Sequence, residues 1–240
     1  VQAAERVARL AAEAGAARLV HFSCLGAAAD APSALLRSKA AGEAAVRTAF
    51  PSATLVRPAP LFGTEDRLMR TWAAISKVLP FVPLIDGGHT RMAPTDVRDV
   101  AAAVKAILQD EATAGQTYTL AGPQVFTVKE LVELVFATIR ENPRTLYVPS
   151  QLAQLAAKPR EFLQTLLPFP VPVLPAAMYT SDNVKAMAGD FTAPEEALGF
   201  EALGIAPRKP QGLNIDYLRS FRAGGYDLGE TVGREQSSTA

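Results

Sequence analysis

The chain has 240 residues, is 49% hydrophobic and 20% charged, and balances 24 Lys+Arg against 24 Asp+Glu. That length buries a core of ordinary size in one large or two small domains, while zero formal charge removes the basic excess expected of a nucleic-acid-binding surface. The single cysteine, Cys24, excludes an intrachain disulfide and suits a reducing compartment, and no run of about 18 apolar residues is present to cross a bilayer as a helix.

The chain opens at Val1 inside a helical pattern, so either a targeting segment has been removed or the sequence is part of a longer one. Val7, Leu10, Ala11 and Ala14 follow helical spacing, and Gly15 ends that helix. Leu19 to Phe22 is an apolar run of strand length, followed by a Gly/Ala/Asp/Pro loop and a helix from Ser33 to Phe50 that Pro51 stops. Ala53 to Arg57 is the next strand. Helix and strand alternate with short connections, which predicts a parallel sheet covered by helices.

Glu65 to Val78 is predicted helical, with Thr64-Glu65-Asp66-Arg67 as its acid-rich start, and Leu79 to Gly88 is a proline-broken strand and turn. Asp96 stands where it caps a helix carrying Val97, Val100, Val104 and Ile107. Thr117 to Leu120 is a short strand. Thr127 and Glu130 form a capping box opening a helix from Val128 to Arg140, and Asn142-Pro143 closes it. Leu146 to Val148 is strand-like. Two short helices (150–157 and 160–167) then lead into Pro168-Phe169-Pro170-Val171-Pro172-Val173-Leu174-Pro175, an extended run because each proline fixes φ and biases its predecessor. The region 181–222 reads as loop with a final helix at 211–222, and 227–240 as a mobile polar tail.

Three features fall at one end of the predicted sheet: Ser23 after a strand, Lys39 on the following helix, and the rigid Arg57-Pro58-Ala59-Pro60-Leu61-Phe62-Gly63 after the next strand. Open parallel sheets bind ligands at that end. The plainer reading makes Ser23 a strand-end residue and Lys39 a solvated helix lysine. His21 reads as a core residue, His89 as solvent-facing and Cys24 as a buried, inert thiol. Neither histidine has a Cys or carboxylate at ligand spacing, so no metal site is assigned. Trp72 and Phe81 are core aromatics or partner anchors. Arg208, Lys209, Arg219 and Arg222 are a solvated basic face or a patch for an acidic partner or lipid headgroups.

The strand-end Ser23, the helix Lys39 and the Arg57-to-Gly63 segment resemble the extended, atypical branch of the short-chain dehydrogenase/reductase superfamily. In that superfamily the Lys holds the nicotinamide ribose and lowers the pKa of a Tyr four residues earlier, which acts as the acid. Here that position is Leu35, and an aliphatic side chain donates no proton. HFSCLGA (21–27), SALLRSKAAGE (33–43), RPAPLFGTEDR (57–67), TDVRDVAAAV (95–104) and the PREFL and PFPVP stretches resemble one subgroup in particular. It comprises the nucleotide-binding accessory subunits of mitochondrial respiratory complex I. ATIRENPR, SDN (181–183) and FRAGG (221–225) are most like the plant and algal versions.

This resemblance implies a partial Rossmann α/β fold over 1–122 that lacks its first strands, and a smaller mixed α/β domain over 123–226. It implies NADPH as a bound cofactor of the full-length family member, with Ser23, Lys39, Pro58, Ala59 and Leu61 as the cofactor-side residues, and no catalytic residue. The implied setting is the matrix side of the mitochondrial inner membrane, with other complex I subunits as partners and no nucleic acid. The family's strand, Gly-x-x-Gly-x-x-Gly turn and helix, which seat the pyrophosphate, have no counterpart in this sequence. The alternative is a soluble NAD(P)-dependent reductase or epimerase, against which Leu35 argues.

Overall fold

The computed structural model describes residues 1–142, 144–166 and 180–222. The proline run 168–175, Gly224-Gly225 and the tail 227–240 lie outside the described residues. In chain order the elements are α1 (Gln2–Glu13), β1 (Val20–Phe22), α2 (Ala34–Ala49), β2 (Thr54–Pro58), β3 (Leu61–Phe62), α3 (Met69–Val78), β4 (Phe81–Ile85), β5 (Arg91–Met92) and β6 (Thr95–Asp96). They continue with α4 (Val97–Gln109), β7 (Thr117–Leu120), β8 (Phe126–Thr127), α5 (Val128–Ile139), β9 (Arg144–Val148), α6 (Ser150–Leu166) and α7 (Ser181–Ala186), and a 3-10 segment runs from Gly212 to Phe221.

The central sheet is parallel in the order β1-β2-β7, with His21 beside Leu55 and Leu55 beside Thr117. Alternation sends neighbouring β2 residues to opposite faces. Leu55 joins Ala8, Val46 and Phe50 under α1 and α2, whereas Val56, Tyr118 and Leu120 meet Val100, Ala103 and Ile107 of α4. A third and larger cluster, around Trp72, Phe136, Leu131 and Ile75, packs α3 and α5 together with the 3-10 segment. Trp72 is therefore a core residue, 1% exposed.

Local signals start the helices where expected. Ser33 caps α2 by accepting from Leu36 N, Asp96 caps α4 by accepting from Arg98 N at 2.8 Å, and the Thr127–Glu130 box is closed in both directions. Four expectations are corrected. The predicted stripe of α1 is only partly inward: Ala11 packs on the core beside Ala4 and buried Ala8, while Val7 and Leu10 are more than half exposed. Ala4 lies against Gly42 of α2, a close approach that suits small residues on the inner face. Helix α3 begins at Met69 rather than Glu65, because Asp66 accepts backbone N–H groups of the first turn from outside it. Residues 150–166 form one helix through Pro159, since a proline removes one helical hydrogen bond without obliging the helix to end. Within 181–222, α7 is a capped helix rather than loop, with Thr180 accepting from Asn183 N at 3.1 Å. Strand β4 carries Pro83 in a parallel pair with β9, opposite Leu146.

Candidate functional site

Strands β1 and β2 end together, and their continuations stay in register. Ser23 N donates to Val56 O at 2.8 Å, Leu25 N to Pro58 O at 2.9 Å, and Ala59 N to Leu120 O at 2.9 Å. This ladder fixes Ser23, Cys24, Pro58 and Ala59 at the carboxyl end of the sheet. Helix α2 passes alongside with Leu35, Lys39 and Glu43 at successive i, i+4 positions, one face of the helix.

Glu43 ties α2 to β2. Its carboxylate is 5% exposed and accepts both arms of the Arg57 guanidinium, Nε at 2.8 Å and a terminal nitrogen at 2.5 Å. Burial alone raises a carboxyl pKa. Here the Arg57 hydrogen bonds, helped by the Ser23 hydroxyl and by the Arg57 and His21 charges, outweigh burial and hold Glu43 below the usual range. Ser23 Oγ is buried and faces this carboxylate without closing a hydrogen bond of normal geometry. Burial and then the Lys39 charge push half-buried His21 down, partly offset by Glu43. Burial pushes the Cys24 thiol up against the pull of Lys39, so it stays protonated, although it is half-buried rather than fully buried.

A cavity of about 380 Å³ opens in front of this strand end. Pro58, Ala59 and Leu61 line it together with Leu35 and Cys24, so three of the five expected cofactor-side residues share one wall with the aliphatic side chain of Leu35. Ser23 and Lys39 are not part of that wall; they belong to the polar group around Glu43 and His21. The far wall comes from later segments. Phe191 reaches it because residue 191 bridges to Met92, with Phe191 N donating to Arg91 O at 2.7 Å and Ala93 N to Phe191 O at 3.1 Å.

Asp182, which composition and spacing did not single out, closes the start of α2. Its carboxylate accepts from Ser33 Oγ at 2.7 Å, Ala34 N at 2.6 Å and Leu35 N at 3.1 Å. Partial burial opposes its charge, but these hydrogen bonds prevail and hold Asp182 below the usual carboxylate range. The positive end of α2 is thus already neutralised from within the chain. The sequence signal available was Thr180 as an N-cap of α7, which would have placed a helix at 181–186 without revealing what Asp182 caps.

Two further carboxylates fasten the 200–222 segment. Asp99, 3% exposed, accepts from Arg208 through both the backbone N–H and the guanidinium. Asp66 accepts from the Tyr217 hydroxyl and from Arg70 N at the start of α3; burial still leaves the Asp66 carboxyl above its usual range and pushes the Tyr217 phenol strongly upward. Arg219 pairs with Asp216 and Arg222 donates to Thr138 O at 2.9 Å, while Arg208, Lys209 and Arg219 stay exposed, in keeping with a solvated basic face. His89 is exposed, as expected. No helix among the described residues is long and apolar enough to cross a membrane.

Comparison with known proteins gives three kinds of likeness. A family model described as the RmlD substrate binding domain matches residues 29–162. The mitochondrial NADH dehydrogenase (ubiquinone) 1 alpha subcomplex subunit 9 of Arabidopsis thaliana is 42% identical over 97% of this chain and 58% of its own length. The mitochondrial NADH-ubiquinone oxidoreductase 40 kDa subunit of Neurospora crassa is 31% identical over 98% of this chain and 60% of its own. The chain therefore spans about three fifths of the length of the curated relatives it matches. Among solved structures, MoeE5 in complex with UDP-glucose and NAD superposes with a TM-score of 0.62 at 16% identity, covering 98% of this chain and 71% of that one. That likeness supports a Rossmann-type α/β fold.

Proposed function

The chain belongs to the RmlD substrate binding domain family, and from that premise we propose that it works as a non-catalytic accessory subunit of mitochondrial complex I that retains a dinucleotide, NADPH, for stability and assembly. Its similarity to the plant and fungal subunits supports the setting: the matrix side of the inner membrane, peripheral, with other complex I subunits as partners. Lipid headgroups at the membrane surface are a further candidate partner.

One observation carries the non-catalytic reading. Leu35 stands on the cavity wall one helical turn before Lys39, the place from which a proton donor would have to reach a bound carbonyl. Burial pushes the half-buried Cys24 thiol on the same wall upward, which disfavours the reactive thiolate.

The residues present fit the nicotinamide end of a dinucleotide. The buried Ser23 hydroxyl lacks a well-formed partner, and the Pro58-Ala59 turn borders the cavity. Ser23 and Lys39 would hold the ribose and carboxamide, and Pro58, Ala59 and Leu61 would flank the ring. When bound, such a cofactor offers a hydride, but with no acid beside it the chain's residues only bind and orient. A ligand that binds only the folded state adds RT ln(1 + [L]/Kd), about 2.7 kcal/mol at a hundredfold excess over Kd. That is reason enough to keep a pocket without turnover.

The test is affinity purification of the full-length protein from mitochondrial membranes, with mass spectrometry of co-purifying proteins and nucleotide. Complex I subunits together with stoichiometric NADPH are expected. Carbonyl reduction by NADPH at ordinary enzyme rates, without complex I subunits, would favour the reductase or epimerase instead.

A further inference from the structure

We propose that the cavity is a binding site for an uncharged hydrocarbon chain. The inference rests on the reading of Leu35 as a non-catalytic wall residue and not on the complex I assignment; because Pro58, Ala59 and Leu61 line the cavity and would also flank a nicotinamide ring, a bound dinucleotide and the hydrocarbon would compete for that wall.

The wall chemistry leads to this ligand. Among the described residues lining the cavity none is charged, and Cys24 and Asn183 alone carry side-chain heteroatoms able to donate or accept a conventional or weak hydrogen bond beyond the methionine sulfurs. Sugar hydroxyls or a phosphate placed there would lose water without gaining partners. The aliphatic wall is also displayed rather than hidden. Leu35 is 50% exposed and Leu61 37% exposed although both line the cavity, so the open side presents hydrocarbon to an entering molecule.

The helix start offers an anionic head no free donors. The N-terminus of a helix such as α2 ordinarily attracts anions, but Asp182 already occupies the N–H groups of Ala34 and Leu35. A carboxylate or phosphate at the mouth would give up water without those hydrogen bonds in return. An alcohol or other neutral end group would give up far less.

Size and adaptability complete the argument. At roughly 30 Å³ of liquid volume per water, about 380 Å³ corresponds to on the order of a dozen non-hydrogen atoms. Hydrocarbon entering an apolar cavity gains by leaving water. Met92 and Met187 stand on the wall beside Phe191, and methionine side chains adjust to irregular apolar shapes.

The experiment uses the full chain and isothermal titration with 1-octanol, octanoate and UDP-glucose at pH 7, with NADPH content measured on the same samples. Saturable 1:1 binding of 1-octanol is expected, at least tenfold weaker binding of octanoate, and none of UDP-glucose. Leu35→Lys, at a half-exposed helix position that tolerates the change, should weaken 1-octanol at least tenfold, and Ala186→Trp should do the same by filling the space. Absence of saturable 1-octanol binding, equal binding by wild type and both variants, or tighter binding of UDP-glucose or octanoate would overturn the proposal. Absence of NADPH from the purified protein with 1-octanol binding intact would instead count against the cofactor reading alone, and failure of 1-octanol to bind protein freed of NADPH, with NADPH rebinding intact, would count against this inference alone.

Discussion

Replacing Arg57 by Leu should show how firmly α2 is fixed to β2. The Glu43 side chain is buried and loses two hydrogen bonds and its paired cation in this variant. Two unit charges about 4 Å apart attract by about 4 kcal/mol at an effective dielectric of 20, and removing one member of a buried pair costs about 3–5 kcal/mol. The Arg57 side chain is 35% exposed, so water softens the loss, and about 2–4 kcal/mol is expected in urea denaturation. Adding Glu43→Gln should recover part of it, with a coupling of about 2 kcal/mol in the double-mutant cycle.

The pH dependence supplies an independent sign. In the native protein the folded Glu43 pKa is lowered, so its contribution is present above the unfolded value of about 4.3 and is lost as pH falls through the folded value. Without Arg57, burial is no longer outweighed and the folded pKa rises above the unfolded one. Stability should then fall with rising pH across that window rather than increase. A loss under about 0.5 kcal/mol, strictly additive single variants and an unchanged acid limb would refute the argument.

Three further outcomes follow from the carboxylate ties and one close backbone approach. Asp182→Ala should cost about 1–2 kcal/mol and speed hydrogen exchange at the Ala34 and Leu35 amides; because the Asp182 pKa is lowered, the wild-type advantage should vanish as pH falls below about 4. Burial raises the Asp66 pKa, so wild-type stability should decline as pH rises from about 3.9 through the folded value, and Asp66→Asn should flatten that decline in thermal melts from pH 3 to 7, using pH values of the order set by ordinary carboxylates. Gly122→Ala should destabilise by more than about 3 kcal/mol or prevent folding, since a Cβ there would stand 1.9 Å from Pro94 O; near-wild-type circular dichroism melts would contradict the close approach.

The sequence was most legible where its signals are local. Ser33, Asp96 and the Thr127–Glu130 box each act on a backbone group two or three residues away, so they could be read before any packing was known. The reading of Leu35 as the acid position came instead from the family resemblance, which sets that position one helical turn before Lys39. Contacts between distant segments were not. Nothing near residue 182 announces that its carboxylate ends a helix 148 residues earlier, and Met92, Met187 and Phe191 became cavity residues only through a bridge between separate parts of the chain. Apolar spacing located α1 but misjudged its inner face, because Val7 and Leu10 satisfy the same period as Ala4, Ala8 and Ala11 and packing chose the smaller set.

The reach of Asp182 also imposes an order on synthesis. A chain leaving the ribosome delivers α2 long before it delivers α7, so the first N–H groups of α2 wait, hydrated, while the intervening residues are made. Contacts this remote form late, since a long loop must close before they reward it. The wall bearing Leu35 is therefore finished only when residue 182 arrives, and a nascent chain halted before that point would present an unclosed cavity, a form that a chaperone or protease can distinguish from the completed one.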